Sequence, residues 1–224
     1  MTATIFDTWT EKYDRWFDTP QGRFVKTYES RLLLDLLRPM PGEQILDAGC
    51  GTGIFTEDVL NQGAAVTGAD LSLPMLQGAV RRTGGNAFSC TRADICALPF
   101  PDNSFDKAFS MTAIEFVADA QKVIAELGRV TVPGGIIAVT TLNCLSPWAE
   151  KRTRKAKQGH DLFRSIYFRS PDEMRALVPE AAVVETAIHF SKNDPVADIP
   201  GIEEAGRKDT PETGAFLAVR WCNI

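Results

Sequence analysis

Ile45-Leu46-Asp47-Ala48-Gly49-Cys50-Gly51-Thr52-Gly53 is an apolar run that ends in an acid and gives way to glycine at every second position. The apolar part has the length of a buried strand. Glycines placed directly after it let the backbone adopt φ values closed to other residues and approach a ligand closely. Phe55 to Asn61 then reads as a helix, whose free N–H groups point at whatever fills the bend. Strand, glycine bend and helix in that order belong to open α/β sheets, where ligands sit beyond the carboxyl ends of the strands.

Working outward, the alternation continues. Ala65 to Ala69 is a second strand, and Leu73 to Arg82 a helix with Pro74 in its first turn. Ala87 to Thr91 and Phe105 to Ser110 are strands three and four. Asp119 to Val130 is a helix with Val123, Ile124 and Leu127 on one face, and Pro133-Gly134-Gly135 turns into the strongest strand, Ile136 to Thr141. Strands separated by helices imply right-handed crossovers and a parallel sheet covered on both faces. Ala181 to Phe190 and Gly214 to Trp221 alternate without a long helix between them, and are expected to form an antiparallel edge hairpin. The expected fold is α/β, Rossmann-like and doubly wound, with a mostly parallel seven-stranded sheet.

Upstream, Phe6, Trp9, Tyr13, Trp16 and Phe17 recur at helical spacing, Thr19-Pro20-Gln21-Gly22 interrupts, and a second helix is expected over Arg23 to Leu37. The chain thus divides into a helical N-terminal cap (1–41), a binding core (42–142), a substrate-side insertion (143–180) and edge strands (181–224), all within one expected domain. Ser146 to Val178 looks irregular, and its run Lys151-Arg152-Thr153-Arg154-Lys155-Ala156-Lys157 is expected to be an exposed helix face.

The chain has 24 Lys plus Arg against 29 Asp plus Glu, a net charge of −5, and is 44% hydrophobic. That balance builds a core, which excludes a disordered acidic chain, and it argues against a nucleic-acid partner held by overall charge. The opening residues lack a signal-peptide pattern and no apolar run approaches the roughly 20 residues a membrane span needs, so cytoplasm is expected. Cys50, Cys90, Cys96, Cys144 and Cys222 form no Cys-x-x-Cys, and His160 and His189 are the only histidines. Neither a disulfide framework nor a metal site is expected.

A dinucleotide fingerprint requires Gly-x-Gly-x-x-Gly. Counting from Gly49 the sixth residue is Ile54, and from Gly51 it is Thr56, so neither register fits. Asp47 would also repel a pyrophosphate. S-adenosylmethionine, which carries an ammonium and a sulfonium but no phosphate, has the opposite preference. Asp70 ends the second strand 17 residues after Gly53, where a carboxylate accepts both ribose hydroxyls. Asp94 follows the third strand, placed for an adenine amino group or, equally, as a loop cap.

With Ile45–Gly53, Val66–Ser72, Arg92–Asp106 and Glu126–Thr141 together, the chain resembles the class I S-adenosylmethionine-dependent methyltransferases of the type 11 branch. The resemblance covers roughly residues 42–142. It implies that Gly49, Cys50, Gly51, Thr52 and Gly53 hold the methionine portion and that Asp47 faces its amino group. It further implies Asp70 at the ribose, Leu71 and Met75 flanking the adenine, and Asp94 with Ile95 at its edge. Ser110 and Met111 would lie under the sulfonium, with Thr112 nearby, and S-adenosylhomocysteine would be the product.

Methyl transfer from a sulfonium needs alignment and a dry pocket more than a fixed catalytic residue, orientation being worth about 7–11 kcal/mol. A base is needed only where the nucleophile arrives protonated. Tyr13, Glu115 and His160 (with Asp161 to orient it) are the catalytic candidates, with Asn143, Trp148 and Tyr167 as further substrate-side residues. Ser110-Met111-Thr112-Ala113-Ile114-Glu115-Phe116 is not the Asn/Asp-Pro-Pro-Tyr/Phe that grips a nucleobase amine, and it lacks a magnesium-binding acidic cluster. A small-molecule acceptor is therefore expected, and a homodimer is left open. The competing functions are an NAD(P)-dependent reductase and a non-catalytic S-adenosylmethionine-binding module.

Overall fold

The protein was analysed as a computed structural model that describes residues 5–84, 87–159 and 161–224. Seven strands, β1 (Gln44–Ala48), β2 (Ala65–Asp70), β3 (Phe88–Arg92), β4 (Phe105–Ser110), β5 (Thr131–Leu142), β6 (Val183–Ala187) and β7 (Phe216–Cys222), form one sheet. Their order is β3-β2-β1-β4-β5-β7-β6. β1 to β5 pair in parallel, and β7 runs antiparallel to both β5 and β6. The expected doubly wound sheet with an antiparallel edge is therefore what forms. The chain leaves β1 toward β2 and β3 on one side and resumes with β4 on the other. The carboxyl ends of β1 and β4 consequently flank the switch point at which such sheets bind ligands.

The helices are α1 (Thr10–Asp18), α2 (Pro20–Leu37), α3 (Thr56–Leu60), α4 (Leu73–Thr83), α5 (Ala120–Val130), α6 (Pro147–Lys157), α7 (Asp161–Arg164), α8 (Pro171–Leu177) and α9 (Ile199–Asp209). Alternate residues of the strands feed two cores. Ile45, Phe109, Ala138 and Phe216 pack against Leu33 and Leu37 of α2, Val59 of α3 and Ile199 of α9. Leu46, Ala108, Val139 and Leu217 pack on the opposite face against Val123, Ile124 and Leu127 of α5 and Met174 of α8. No described helix is long and apolar enough to cross a membrane.

Four expectations are corrected. α2 begins at Pro20, not Arg23, because the Thr19 hydroxyl accepts the Gly22 N–H at 3.0 Å and Pro20 occupies the first turn, where its missing N–H costs nothing. The segment expected to be irregular after β5 holds α6, α7 and α8; Ser146 caps α6, and Ser170 with Glu173 forms a capping box on α8. A long helix, α9, does lie between the last two strands. Its Gly206 hides it from propensity reasoning, yet a Cβ there would sit 2.2 Å from the Cβ of His189. Finally, Pro133-Gly134-Gly135 lies within β5, with a register shift opposite Phe105 and Lys107, rather than before it.

Candidate active site

The bend after β1 holds three glycines with positive φ: Gly49 at +83°, Gly51 at +52° and Gly53 at +76°. Gly49 and Cys50 donate their N–H groups to the Ala69 carbonyl at 2.7 and 3.1 Å, which ties the bend to the end of β2. Gly49 is required twice over, because a Cβ there would also lie 2.4 Å from the Cβ of Ala113, in the segment following β4. Asp70 braces the bend from the other side: its Oδ2 accepts the Gly51 N–H at 2.9 Å and its Oδ1 accepts the Ser72 N–H at 2.8 Å. Each oxygen keeps a second lone pair. Burial pushes the Asp70 carboxyl up, and those two N–H groups pull it back only in part.

Asp47 is 2% exposed. Its Oδ2 accepts the Thr56 hydroxyl at 2.6 Å, whereas its Oδ1 is buried without a partner. Burial raises its pKa to about 7, against the lowering effect of Thr56. A buried, half-satisfied carboxylate of this kind is complementary to a cation. The Cys50 thiol donates to the Gly51 carbonyl at 3.9 Å, and burial, then Asp47 and Asp70, push it well above the ordinary thiol range. Cys50 is therefore held in the bend as a buried, neutral thiol.

Thr52 is bonded away from the bend. Its hydroxyl donates to Asp14 Oδ1 of α1 at 2.6 Å, and Arg82 of α4 donates to Asp14 Oδ2 at 2.7 Å and to the Thr52 carbonyl at 3.0 Å. Asp14 and Arg82 escaped the sequence reading, since a lone acid on an aromatic helix carries no local signal.

Farther along the strand ends, Leu71 is exposed, while Met75 on α4 is buried. Ile95 is buried, and Asp94 Oδ1 accepts the Cys96 N–H at 2.9 Å, so Asp94 does cap its loop while remaining solvent-exposed. At the end of β4 the Ser110 hydroxyl is buried and unpartnered, and the Met111 sulfur accepts the Thr140 hydroxyl at 3.5 Å. Thr112 follows with φ +45°, a strained value for a β-branched residue, and its N–H donates to Thr140 Oγ1 at 2.9 Å.

Beyond β4 and β5 the structure brings two of the catalytic candidates together. Tyr13 lies against Thr112, and burial followed by Glu29 pushes its phenol well above the ordinary range. Glu115 is 1% exposed, its Oε2 has no partner, and burial raises its pKa to about 7. Glu29 of α2 and Arg152 of α6 join them, both missed in the sequence. Arg152 lay inside the run expected to be an exposed face; Lys151, Arg154, Lys155 and Lys157 are exposed, but Arg152 turns inward with Nη1 buried and unpartnered. His160 lies outside the described residues. Asn143 is consumed structurally, donating to the Glu212 and Gly214 carbonyls and accepting the Leu145 N–H. Trp148 donates to the Phe190 carbonyl inside the core, and the Tyr167 side chain is half exposed.

Residues 46–139 match the family described as "Methyltransferase domain". That segment is similar to methyltransferase domains. The chain is 41% identical over 110 residues to the malonyl-[acyl-carrier protein] O-methyltransferase of Serratia marcescens, covering 49% of this chain and 42% of that protein. It is 36% identical over 137 residues to the demethylmenaquinone methyltransferase of Renibacterium salmoninarum, covering 61% of this chain and 56% of that one. The matches thus span about half the length of these relatives. The shared fold continues past the matched segment: a Thermotoga maritima structure described as an S-adenosylmethionine-dependent methyltransferase, possible histamine N-methyltransferase, superposes over 98% of both chains with a TM-score of 0.76 at 22% identity.

Proposed function

We propose that the chain transfers a methyl group from S-adenosylmethionine to a small-molecule nucleophile. The observation that carries the reading is the buried, unpaired oxygen of Asp47 at the glycine bend. A bend built for a diphosphate aims N–H groups at its ligand and keeps carboxylates away. Here the bend holds Asp47, which suits an ammonium and disfavours the diphosphate of an NAD(P)-dependent reductase, while Asp70 suits the ribose hydroxyls of either cofactor.

In this reading Asp47 receives the amino group, and the backbone from Gly49 to Gly53 lies along the methionine portion. Asp70 accepts the ribose hydroxyls through lone pairs that Gly51 and Ser72 leave open. Leu71, Met75, Asp94 and Ile95 surround the adenine, and Ser110 and Met111 floor the reacting end. Bound there, S-adenosylmethionine would supply a methyl carbon whose leaving group is a neutral thioether, so the chain need not protonate the departing sulfur. What the chain provides is alignment and the exclusion of water, through α1 and α6 over the carboxyl ends of β4 and β5. The cytoplasm is the compartment that goes with this reading, with small molecules rather than nucleic acid as acceptors.

The test is a pair of calorimetric titrations. S-adenosylhomocysteine is expected to bind with micromolar affinity or better while NADH gives no heat of binding. The reverse pattern would return the reductase reading.

A further inference from the structure

Five polar side chains that no step above uses converge at one place. Glu29 comes from α2, Glu115 from the turn after β4, Thr141 from the end of β5, Arg152 from α6 and Tyr13 from α1. Glu29, Glu115 and Thr141 are at most 7% exposed. Three atoms of the group, Glu115 Oε2, Thr141 Oγ1 and Arg152 Nη1, are buried without any hydrogen-bond partner. Thr141 sits against Glu115 and lowers its pKa, and a buried cluster from separate elements with hydrogen-bonding capacity left over is suited to a polar molecule.

The charges facing this space are unequal. Of the cations, Lys26 is committed to Asp58 and Ser30 on the outer side of α2. Arg169 spends its guanidinium on the Ile114, Tyr167 and Val117 carbonyls, which holds the segment carrying Glu115 in place. Asp14 is committed to Arg82. That leaves two acids, Glu29 and Glu115, facing one cation without a carboxylate ion pair, Arg152, whose guanidinium lies over the Trp148 ring at 5.3 Å. One carboxylate is balanced by Arg152, and the other keeps its proton unless a further cation enters.

We infer that Glu29, Glu115, Thr141, Tyr13 and Arg152 form the acceptor chamber of the methyl transfer and that it takes a small molecule presenting a primary or secondary amine. The inference rests on the methyl-transfer reading above. An ammonium entering the chamber supplies that cation. Glu115 accepts its proton, the freed nitrogen lone pair forms the bond to the methyl carbon, and the electron pair of the broken carbon–sulfur bond stays on sulfur. The product leaves as the N-methylammonium, with charge and protons conserved. Burial first, against the pull of Arg152 and Arg169, holds Glu115 at a pKa of about 7, and burial opposed by Arg152 holds Glu29 at about 8. The Glu115 value suits the uptake of an ammonium proton near neutrality, whereas Glu29 ionises there only when a cation joins it.

The experiment offers the intact chain methyl-labelled S-adenosylmethionine with a panel of primary and secondary amines, each paired with a carboxylic acid and an alcohol of matched shape (phenethylamine with hydrocinnamate and phenethyl alcohol, for example). Stabilisation of the S-adenosylhomocysteine complex by each compound is read in parallel from the melting temperature. Label is expected in amines alone, and amines alone are expected to raise the melting temperature. Glu115→Gln should lower kcat on the best amine about 100-fold and flatten the rise of kcat with pH, while S-adenosylhomocysteine affinity stays within about twofold. Glu29→Gln should weaken amine binding, chiefly through KM. Transfer to the acids or alcohols and not to amines, amine transfer indifferent to both substitutions, or no labelling and no stabilisation by any amine each overturns the inference. Failure of S-adenosylhomocysteine to bind at all is a different result, and it removes the methyl-transfer reading itself together with the chamber assigned to it.

Discussion

The Asp14 carboxylate accepts the Thr52 hydroxyl at 2.6 Å, so the first helix is bonded to the centre of a glycine bend 38 positions later in the chain. Arg82 completes the link by bonding both residues. α1 is thereby fastened to the bend, which in our reading is the cofactor site, and ligand exchange is expected to be slowed by that fastening. Asp14→Ala removes a charge-assisted hydrogen bond and a half-exposed ion pair. The expected outcome is roughly tenfold faster dissociation of S-adenosylhomocysteine in stopped-flow, with the melting temperature of the free protein little changed.

Asp70 serves both the bend and, in our reading, the ribose. Asp70→Ala is expected to weaken S-adenosylhomocysteine binding at least about tenfold while the circular dichroism spectrum stays that of the wild type. Unchanged affinity by calorimetry would place the ribose elsewhere.

At Gly49 a methyl group meets two obstacles at once, a φ of +83° and the Cβ of Ala113 at 2.4 Å. Backbone strain of this sort costs about 1–3 kcal/mol, so Gly49→Ala should weaken cofactor binding by about ten- to a hundredfold. Gly51→Ala, where φ is +52° but no atom lies within 4 Å of the added Cβ, should cost less. Equal losses in the two variants would show that crowding by Ala113 is irrelevant.

The buried acids also set a pH dependence. Glu29 and Glu115 have folded-state pKa values of about 8 and about 7, above the ordinary 4.5. The folded state therefore binds more protons than the unfolded chain between these limits, and stability falls as pH rises through that window. The free protein is expected to melt lower at pH 8 than at pH 5.5, and Glu29→Gln combined with Glu115→Gln should reduce that slope. A melting temperature that rises over this range in the wild type and is unaffected by the double substitution would contradict the assignment.

The strands and the glycine bend were legible because they rest on local signals: apolar runs of strand length, glycines at fixed offsets and acids at strand ends. Helix starts were less so. Thr19-Pro20, Ser146-Pro147 and Ser170-Pro171 all look like chain breaks, yet in each the hydroxyl caps a helix and the proline takes its first turn. α9 was missed because Gly206 lowers helix propensity, and the reason for that glycine, the ring of His189 packed onto it, lies in another element. The acceptor chamber was legible only as Tyr13 and Glu115. Glu29 sits on a helix that reads as an ordinary amphipathic one, and Arg152 sits among basic residues that do face solvent, so only tertiary packing distinguishes it from Lys151 and Arg154. Asp14 and Arg82 likewise acquire meaning only when α1 and α4 are brought to the same bend.

The central claim is that the bend after β1 receives an adenosyl amino acid through Asp47 and Asp70. A crystal structure of the chain grown with S-adenosylhomocysteine tests it most directly. The account predicts the amino group within hydrogen-bonding distance of Asp47 Oδ1, both ribose hydroxyls on Asp70, and the sulfur facing Glu115 and Tyr13. Density for the ligand at another place, or a bend that accepts a diphosphate in its stead, would contradict it.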